Sequence, residues 1–334
     1  MPTSYDVARL AGVSQATVSR ALSGGTVSPA TRKKILDAAK EVGYVPNLGA
    51  RAMKTGRVNT IGVVVADLRN PFYPEILDAL TSYLDAAGKK VTLWNSDGPG
   101  NDAALEAINA GSVDGVIFTT VTEASVPLQA ALRGHSPVVL INRIVETLGC
   151  DQVSSDNVAG GRTVADYLLD HGHREIAFIG GPSVASTARD RFRGFSERLA
   201  EAAVPLRPER IRQGPFSHDF GFSASVELLR SDHPPTAIFC SNDLVAFGAL
   251  DAARTESVAV PGDLWIVGYD DIAMSAWPAF DLTTVHQPSR TMAEAGARAL
   301  LDRIDEPTAP YRTLTFRSHL VARGSTGAAP PSTP

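Results

Sequence analysis

Cysteine is nearly absent from this chain. Cys150 and Cys240 are the two in 334 residues, ninety positions apart and without metal-type spacing. Both follow apolar, strand-like runs, so reduced structural thiols in a cytoplasm are expected. Long hydrophobic runs are missing too. Stretches such as 61–66 and 116–118 are strand-length, far below the roughly 20 residues that span a bilayer. The opening Met-Pro-Thr-Ser-Tyr-Asp has no basic segment leading into an apolar core, so no secretion signal is expected. Catalytic signatures are lacking as well: there is no Gly-x-Ser-x-Gly elbow, His-Glu-x-x-His pair, phosphate loop or Gly-x-Gly-x-x-Gly turn. A constellation of that kind is how an enzyme announces itself, so no catalysis, metal site or cofactor is expected. What remains, with 44% hydrophobic and 20% charged residues, is the composition of a soluble globular protein long enough for several cores.

The net charge of −5 hides an asymmetry. Residues 1–58 hold nine Lys/Arg against the acids Asp6, Asp37 and Glu41, a net of +6, which leaves −11 for the rest. A small basic head on an acidic body presents one surface to phosphate and repels it elsewhere.

The head reads as three short helices. Ser4 is placed to cap the first, over 5–11, and Gly12 to stop it; Ser14 caps a second over 15–22. Ser28-Pro29 opens a third, with proline where its missing N–H costs nothing. A glycine-containing turn between the first two gives a helix-turn-helix, although three helices alone would also serve a plain interaction module. In the DNA-binding reading the second helix enters the groove. Gln15 suits adenine, Arg20 guanine and the Ala16 methyl thymine, while Ser14, Thr17 and Ser19 suit phosphate oxygens.

These residues carry a resemblance. Tyr5-Asp6-Val7-Ala8, Ala11-Gly12-Val13-Ser14, Thr17-Val18-Ser19-Arg20-Ala21-Leu22, Val27-Ser28, Thr31-Arg32 and Gly43-Tyr44-Val45-Pro46-Asn47 resemble the head of the lactose-repressor (LacI/GalR) family. The resemblance implies a homodimeric transcription regulator, with two heads on a pseudo-palindromic operator of double-stranded DNA.

Residues 47–57 follow as a hinge, with Asn47 as cap and Gly56 as stop. Two turns containing Gly49 are unstable alone in water. The segment is therefore expected to order only when two copies pair on DNA, rather than to act as a plain linker. The resemblance implies that paired hinge helices drive an apolar side chain into the minor groove. Asn47, Ala50 and Met53 are the hinge residues expected at DNA, and Met53 stands where the family has leucine.

From residue 58 strand-like and helix-like runs alternate. Strands are expected at 60–66, 90–95, 113–118, 137–141, 175–180, 210–214, 236–240 and 264–268. Such repetition predicts an α/β body of two doubly wound parallel-sheet lobes, with a break near 155–160. The body resembles the periplasmic sugar-binding-protein fold shared by that family. The expected domains are a helix-turn-helix head over 1–46, the hinge over 47–57, and an effector-binding body over 58–323. Its first lobe takes 58–157 plus 287–322 and its second 158–286, and a disordered Gly/Ala/Pro/Ser/Thr tail fills 324–334.

Ligands in such sheets sit at carboxyl ends of strands, here between two lobes. By position there and by resemblance, Asn70, Phe72, Tyr73, Asn142, Arg143, Arg191, Phe216, Asn242, Asp270 and His286 are the candidate effector residues. Aromatic rings stack on a ring face, and planar charged groups hold hydroxyls. The duller alternatives are a solvated helix face for Arg189, Arg191 and Arg193, core for Phe216 and a helix cap for Asn242-Asp243. The family often carries an acid where this chain has Asn142, and an amide both donates and accepts, so the effector is left open. A repressor released by a sugar is the expected function. A purine corepressor is the rival, and a solute receptor for a transporter is a more distant one, opposed by the basic head.

Overall fold

The computed structural model describes residues 2–22, 25–45, 57–96, 100–122 and 124–327. It divides into two compact units, Met1–Val58 and Asn59–Pro334.

The first unit holds α1 (Ser4–Ala11), α2 (Gln15–Leu22) and α3 (Pro29–Glu41). Thr3, not Ser4, caps α1. Asp6 accepts the Thr3 N–H at 2.9 Å and its hydroxyl at 2.8 Å, so the acid three residues on fixes the start one residue earlier than expected. Ser14 accepts the Thr17 N–H at 3.2 Å and Ser28 the Thr31 N–H at 3.1 Å. Gly12 ends α1 at φ 61°, a left-handed conformation that costs glycine nothing. Val7, Ala11, Val18, Ala21, Ile35, Ala38 and Ala39 form the core; so many alanines let three short helices approach closely. Arg32 donates to the carbonyls of Ala21 and, at 2.7 Å, Gly25. A cation thus closes the carboxyl end of α2, where the helix dipole is negative.

The second unit contains two six-stranded sheets. The first is built from β1 (Thr60–Val65), β2 (Lys90–Asn95), β3 (Gly115–Phe118), β4 (Val138–Ile141) and β5 (Asp151–Ser155), in the order β2-β1-β3-β4-β5. It is covered by α4 (Phe72–Ala86), α5 (Gly100–Asn109) and α6 (Val126–Arg133). The second repeats that order with β6 (Ile176–Gly180), β7 (Ile211–Gln213), β8 (Ala237–Cys240), β9 (Trp265–Asp270) and β10 (Thr283–His286). Its helices are α7 (Asn157–Asp170), α8 (Ser186–Glu201), α9 (His218–Leu229) and α10 (Asp243–Thr255). Within each five-strand set neighbours run parallel. Fully buried apolar runs such as β3, β4, β6 and β8 follow from helices on both faces.

The chain crosses between lobes three times. The first crossing leads from β5 into α7. The second leads from β10 into α11 (Ser289–Asp305), which packs on α4 and β4 of the first lobe. The third follows β11 (Thr313–Phe316), parallel to β5, and enters β12 (His319–Val321), antiparallel to β10.

That last crossing corrects the expected lobe boundary, because 319–321 belong with the second sheet. Two short strands separated by Arg317-Ser318 carry no mark of which sheet each joins. The expected tail is corrected too, for 324–327 are packed. Ser325 accepts the Thr283 N–H at 2.8 Å and donates to the Ile266 carbonyl at 2.6 Å. The Thr326 hydroxyl lies 2.8 Å from those of Thr283 and Tyr167. Small polar residues read as tail when the buried backbone they satisfy is distant in sequence. The strand at 151–155 was not among those expected. Asp-Gln-Val-Ser-Ser is wholly buried as β5 because Asp151 accepts from Arg303 Nε at 2.9 Å and from the Arg312 N–H at 2.9 Å.

Ser325→Ala is expected to cost about 1–3 kcal/mol, since it leaves a buried N–H and a buried carbonyl unpaired. Urea unfolding measures it; a change within experimental error would return 324–327 to the status of a tail.

Candidate functional site

In the head, the residues proposed for DNA gather at the amino end and outer side of α2. Ser14, Ala16 and Arg20 are exposed, while Gln15, Thr17 and Ser19 are half-buried. The Ser14 and Thr17 hydroxyls lie 2.8 Å apart, and Gln15 Nε2 donates to Ser4 Oγ at 3.2 Å. Gln15 therefore exchanges one long hydrogen bond when its amide turns outward, and Ser14 does double duty as cap and candidate phosphate ligand. Asn47, Ala50 and Met53 lie outside the described residues, as does the rest of the expected hinge through Gly56.

In the body, nine of the ten candidate effector residues line one cleft. Asn70, Phe72, Tyr73, Asn142 and Arg143 face Arg191, Phe216, Asn242 and Asp270, with Thr187 as a tenth lining residue, around a cavity of about 10 Å³. That is room for about one water and far below the roughly 300–1,000 Å³ of sites for drug-sized ligands, so the cleft is closed and admits a ligand only if the lobes open.

Local chain geometry explains each position. Asn70 accepts the Phe72 N–H at 3.1 Å, closing the turn that delivers Phe72 and Tyr73 at the start of α4. Their rings meet edge-to-face, 5.5 Å apart and inclined by 76°. Asn142, just after β4, has φ 69°, and Asp270, the last residue of β9, has φ 118°. Left-handed conformations at residues other than glycine store backbone strain, here at two strand ends that face one cleft. Phe216 lies against Gly181, where a Cβ would come within 2.2 Å of the ring.

The lobes touch across the cleft. Arg143 Nη1 donates to Thr187 Oγ1 at 2.5 Å, and the Ile144 N–H donates to Ser186 Oγ at 3.1 Å. On another side the Ala273 N–H donates to Glu75 Oε1 at 3.2 Å. Two buried polar atoms in the cleft wall, Asn142 Oδ1 and Arg143 Nε, have no hydrogen-bond partner among the described residues. Orphaned buried polar groups are rare and costly, and both belong to residues that line the cleft.

Arg191 is the centre of the second lobe's wall. Its guanidinium stacks 3.7 Å over the Tyr269 ring, and its Nε donates to Asn157 Oδ1 at 2.8 Å. Its Nη1 donates to the Ser241 carbonyl at 2.5 Å and lies 3.3 Å from Asp270 Oδ1. Burial pushes the Asp270 carboxyl above the ordinary carboxylate range, opposed by Arg191 and by a hydrogen bond from Gln287. Asp243 is raised by burial and then by Asp270, although it accepts from Ile272, Ser275 and Thr284. Burial likewise raises the Tyr73 phenol.

The duller alternatives divide. Arg189 and Arg193 do lie on a solvated face, about half exposed, whereas Arg191 is buried. Asn242 lines the cleft and also caps α10, its Oδ1 accepting the Val245 N–H at 2.9 Å. His286 is the correction. It is not among the lining residues; its Nδ1 lies 2.9 Å from Asp271 Oδ2, and its ring sits 4.9 Å from that of His319. Successive residues point to opposite sides along an extended chain, so it is Gln287, one residue on, that reaches Asp270 at 2.7 Å. Gln287 and Thr187 were missed. Thr187 had a signal, standing four residues before Arg191 on the same helix face.

Comparison with known proteins agrees with both units. Residues 3–47 match the model of bacterial regulatory proteins of the lacI family, and residues 165–326 that of a periplasmic binding protein-like domain. The HTH-type transcriptional repressor PurR of Vibrio cholerae is 32% identical over 328 residues, covering 97% of each chain. The ribose operon repressor of Haemophilus influenzae is 31% identical over 331 residues, covering 97% of this chain and 98% of its own. Among solved structures, a lac repressor dimer bound to operator and anti-inducer matches at a TM-score of 0.83 and 28% identity, covering 98% of this chain and 99% of that one. The transcriptional regulator CelR in complex with cellobiose matches at 0.76 and 32%, covering 97% and 100%.

Arg191→Met is expected to destabilise the protein by about 3–5 kcal/mol, the usual consequence of stranding a buried charge. Arg191→Lys should recover part of this. Denaturant unfolding reads both, and an Arg191→Met protein as stable as the parent would dismiss the buried pair as a structural element.

Proposed function

The chain belongs to the LacI family of bacterial regulatory proteins, and from that premise we propose a homodimeric repressor released from its operator by a small sugar-type effector. It is a DNA-binding transcriptional regulator; the dimer, the effector and the individual contacts are the proposal. The observation that carries the effector reading is the convergence of nine residues from strand ends and the helices that follow them on one cleft, two of whose lining residues hold unpartnered polar atoms.

Each head sets the amino end of α2 in the major groove. Gln15, Ala16 and Arg20 meet base edges, and Ser14, Thr17 and Ser19 meet phosphates. Two heads related by a two-fold axis require a pseudo-palindrome. Asn47, Ala50 and Met53 belong to the hinge of 47–57, which pairs in the minor groove with Met53 as the apolar wedge. In the cleft, Asp270 accepts from one hydroxyl while Arg191 and Asn142 bond its neighbours, and Phe72, Tyr73 and Phe216 cover the ring. Effector binding favours a lobe arrangement in which the hinges pair poorly, and operator affinity falls by the same coupling factor that operator imposes on effector. The protein works beside the chromosome, in the cytoplasm, without a catalytic step, metal or cofactor. No described helix is long and apolar enough to cross a membrane.

A purine corepressor is the second reading, favoured by the PurR relatives and by three aromatic side chains able to stack on a base. A thermal-shift screen with ribose, cellobiose, hypoxanthine and guanine separates the two. A sugar that raises the melting point and releases operator in footprinting supports the first; a purine that tightens operator binding overturns it.

Two substitutions test the reader. Arg20→Ala should cost about 1–3 kcal/mol in operator affinity and relax discrimination at one base pair. Met53→Gly should weaken operator binding by roughly 10- to 100-fold, the worth of one buried apolar side chain, with effector affinity unchanged. Gel-shift titration and calorimetry read both.

A further inference from the structure

Gln287 sits in the second crossing between the lobes, between β10 and α11, and is almost wholly buried. Its two amide ends have different partners. Nε2 donates to Asp270 Oδ1 at 2.7 Å, and Oε1 accepts from the hydroxyl of Ser155, the last residue of β5 and the start of the first crossing. The Gln287 N–H also points to the Asp270 carbonyl, at 3.4 Å. A carboxylate is acceptor-only and a hydroxyl must donate to the amide oxygen, so the amide has one workable orientation. An unbroken line of three side chains therefore runs from the cleft wall to the segments that join the lobes.

We propose that Gln287 is a positioning residue: it holds the Asp270 carboxylate in the cleft and ties it, through Ser155, to the first crossing. Asp270 needs such a support. It ends β9 in a left-handed conformation, and its other charged neighbour, Arg191, lies 3.3 Å away while donating to the Ser241 carbonyl. Tyr73 and Glu75 of the first lobe and Asp243 of the second also act on the same carboxylate. Against burial and the charge of Glu75, the Arg191 guanidinium and the Gln287 amide are the groups that favour the charged form of Asp270. A ligand hydroxyl bound to Asp270 competes for the lone pairs that Gln287 occupies, so occupancy is felt in the crossings without any long-range rearrangement. The functional weight of this rests on reading the cleft as the effector site, whereas the test needs no effector, so the two can fail separately.

The test is a carboxyl-carbon NMR titration of the full-length protein with labelled aspartate, the signal assigned by Asp270→Asn. Gln287→Met should raise the Asp270 midpoint by about one pH unit, a tenfold change in proton affinity. Ser155→Ala should raise it by less, because the amide keeps its donor on Asp270. In the parent, the Gln287 side-chain amide signals should move with the Asp270 midpoint and lose that movement in Asp270→Asn. Should Gln287→Met fail to fold, Gln287→Asn, too short to reach Asp270, gives the same comparison. An unmoved midpoint, or amide signals indifferent to Asp270, overturns the proposal.

Discussion

A carboxylate kept dry beside a guanidinium is expensive unless every remaining lone pair and proton finds a partner. At the wall of the cleft Asp270 accepts from Gln287, and Arg191 donates to Asn157 and to the Ser241 carbonyl, beside their own pairing, and the second lobe is organised around them. Tyr269 supplies the face on which the guanidinium lies, and Gly160 leaves room for its ring, since a Cβ there would come 2.1 Å from the Tyr269 hydroxyl. Asn157, at the start of α7, takes Nε, and the Ser241 carbonyl takes Nη1. Three elements distant in sequence are thus fixed relative to one side chain. A ligand reaching such a wall would meet polar groups already aimed and would not spend binding energy on ordering them.

The first lobe is built on a parallel arrangement with a different purpose. Arg303 reaches from α11 to Asp151 on β5 and also donates to the carbonyls of Pro307, Ala309 and Pro310. This pair faces away from ligand chemistry; it holds the returning chain so that β11 can join β5. Buried ion pairs alone therefore do not mark a binding site. What separates the two is the surroundings, for the Asp270 pair adjoins orphaned polar atoms and strained strand ends, and the Asp151 pair has carbonyls enough to satisfy it.

Much of this was legible from residue order, and the failures share a cause. Apolar strands such as β1 and β4, and helices with caps and glycine stops, are local statements. So are residues at or after strand ends, whose position together with the family resemblance brought nine of ten effector candidates to one cleft. β5 was not legible, because Asp-Gln-Val-Ser-Ser becomes a buried strand through arginines more than 150 residues away. The burial of Ser325 and Thr326 depends on Thr283 and Tyr167 in the same way. His286 failed for a finer reason, the side to which one residue of an extended chain points. Polar residues whose partners are remote carry no local signal of burial; apolar ones do.

Asn142 shows how little substitution is needed to change what such a cleft selects. Its Oδ1 is buried and unpartnered, and its backbone is held left-handed, so the amide is fixed at the cleft wall. A carboxylate at that place would accept only, and would add a second negative charge facing Asp270 across the cleft. An amide carries no charge and offers donors beside its acceptor, so a hydroxyl there can bond as donor or as acceptor. With Arg143 adjacent and bonded across to Thr187, this wall is net positive, while the opposite wall balances Arg191 against Asp270. A ligand complementary to this asymmetry would turn acceptors toward Arg143 and donors toward Asp270.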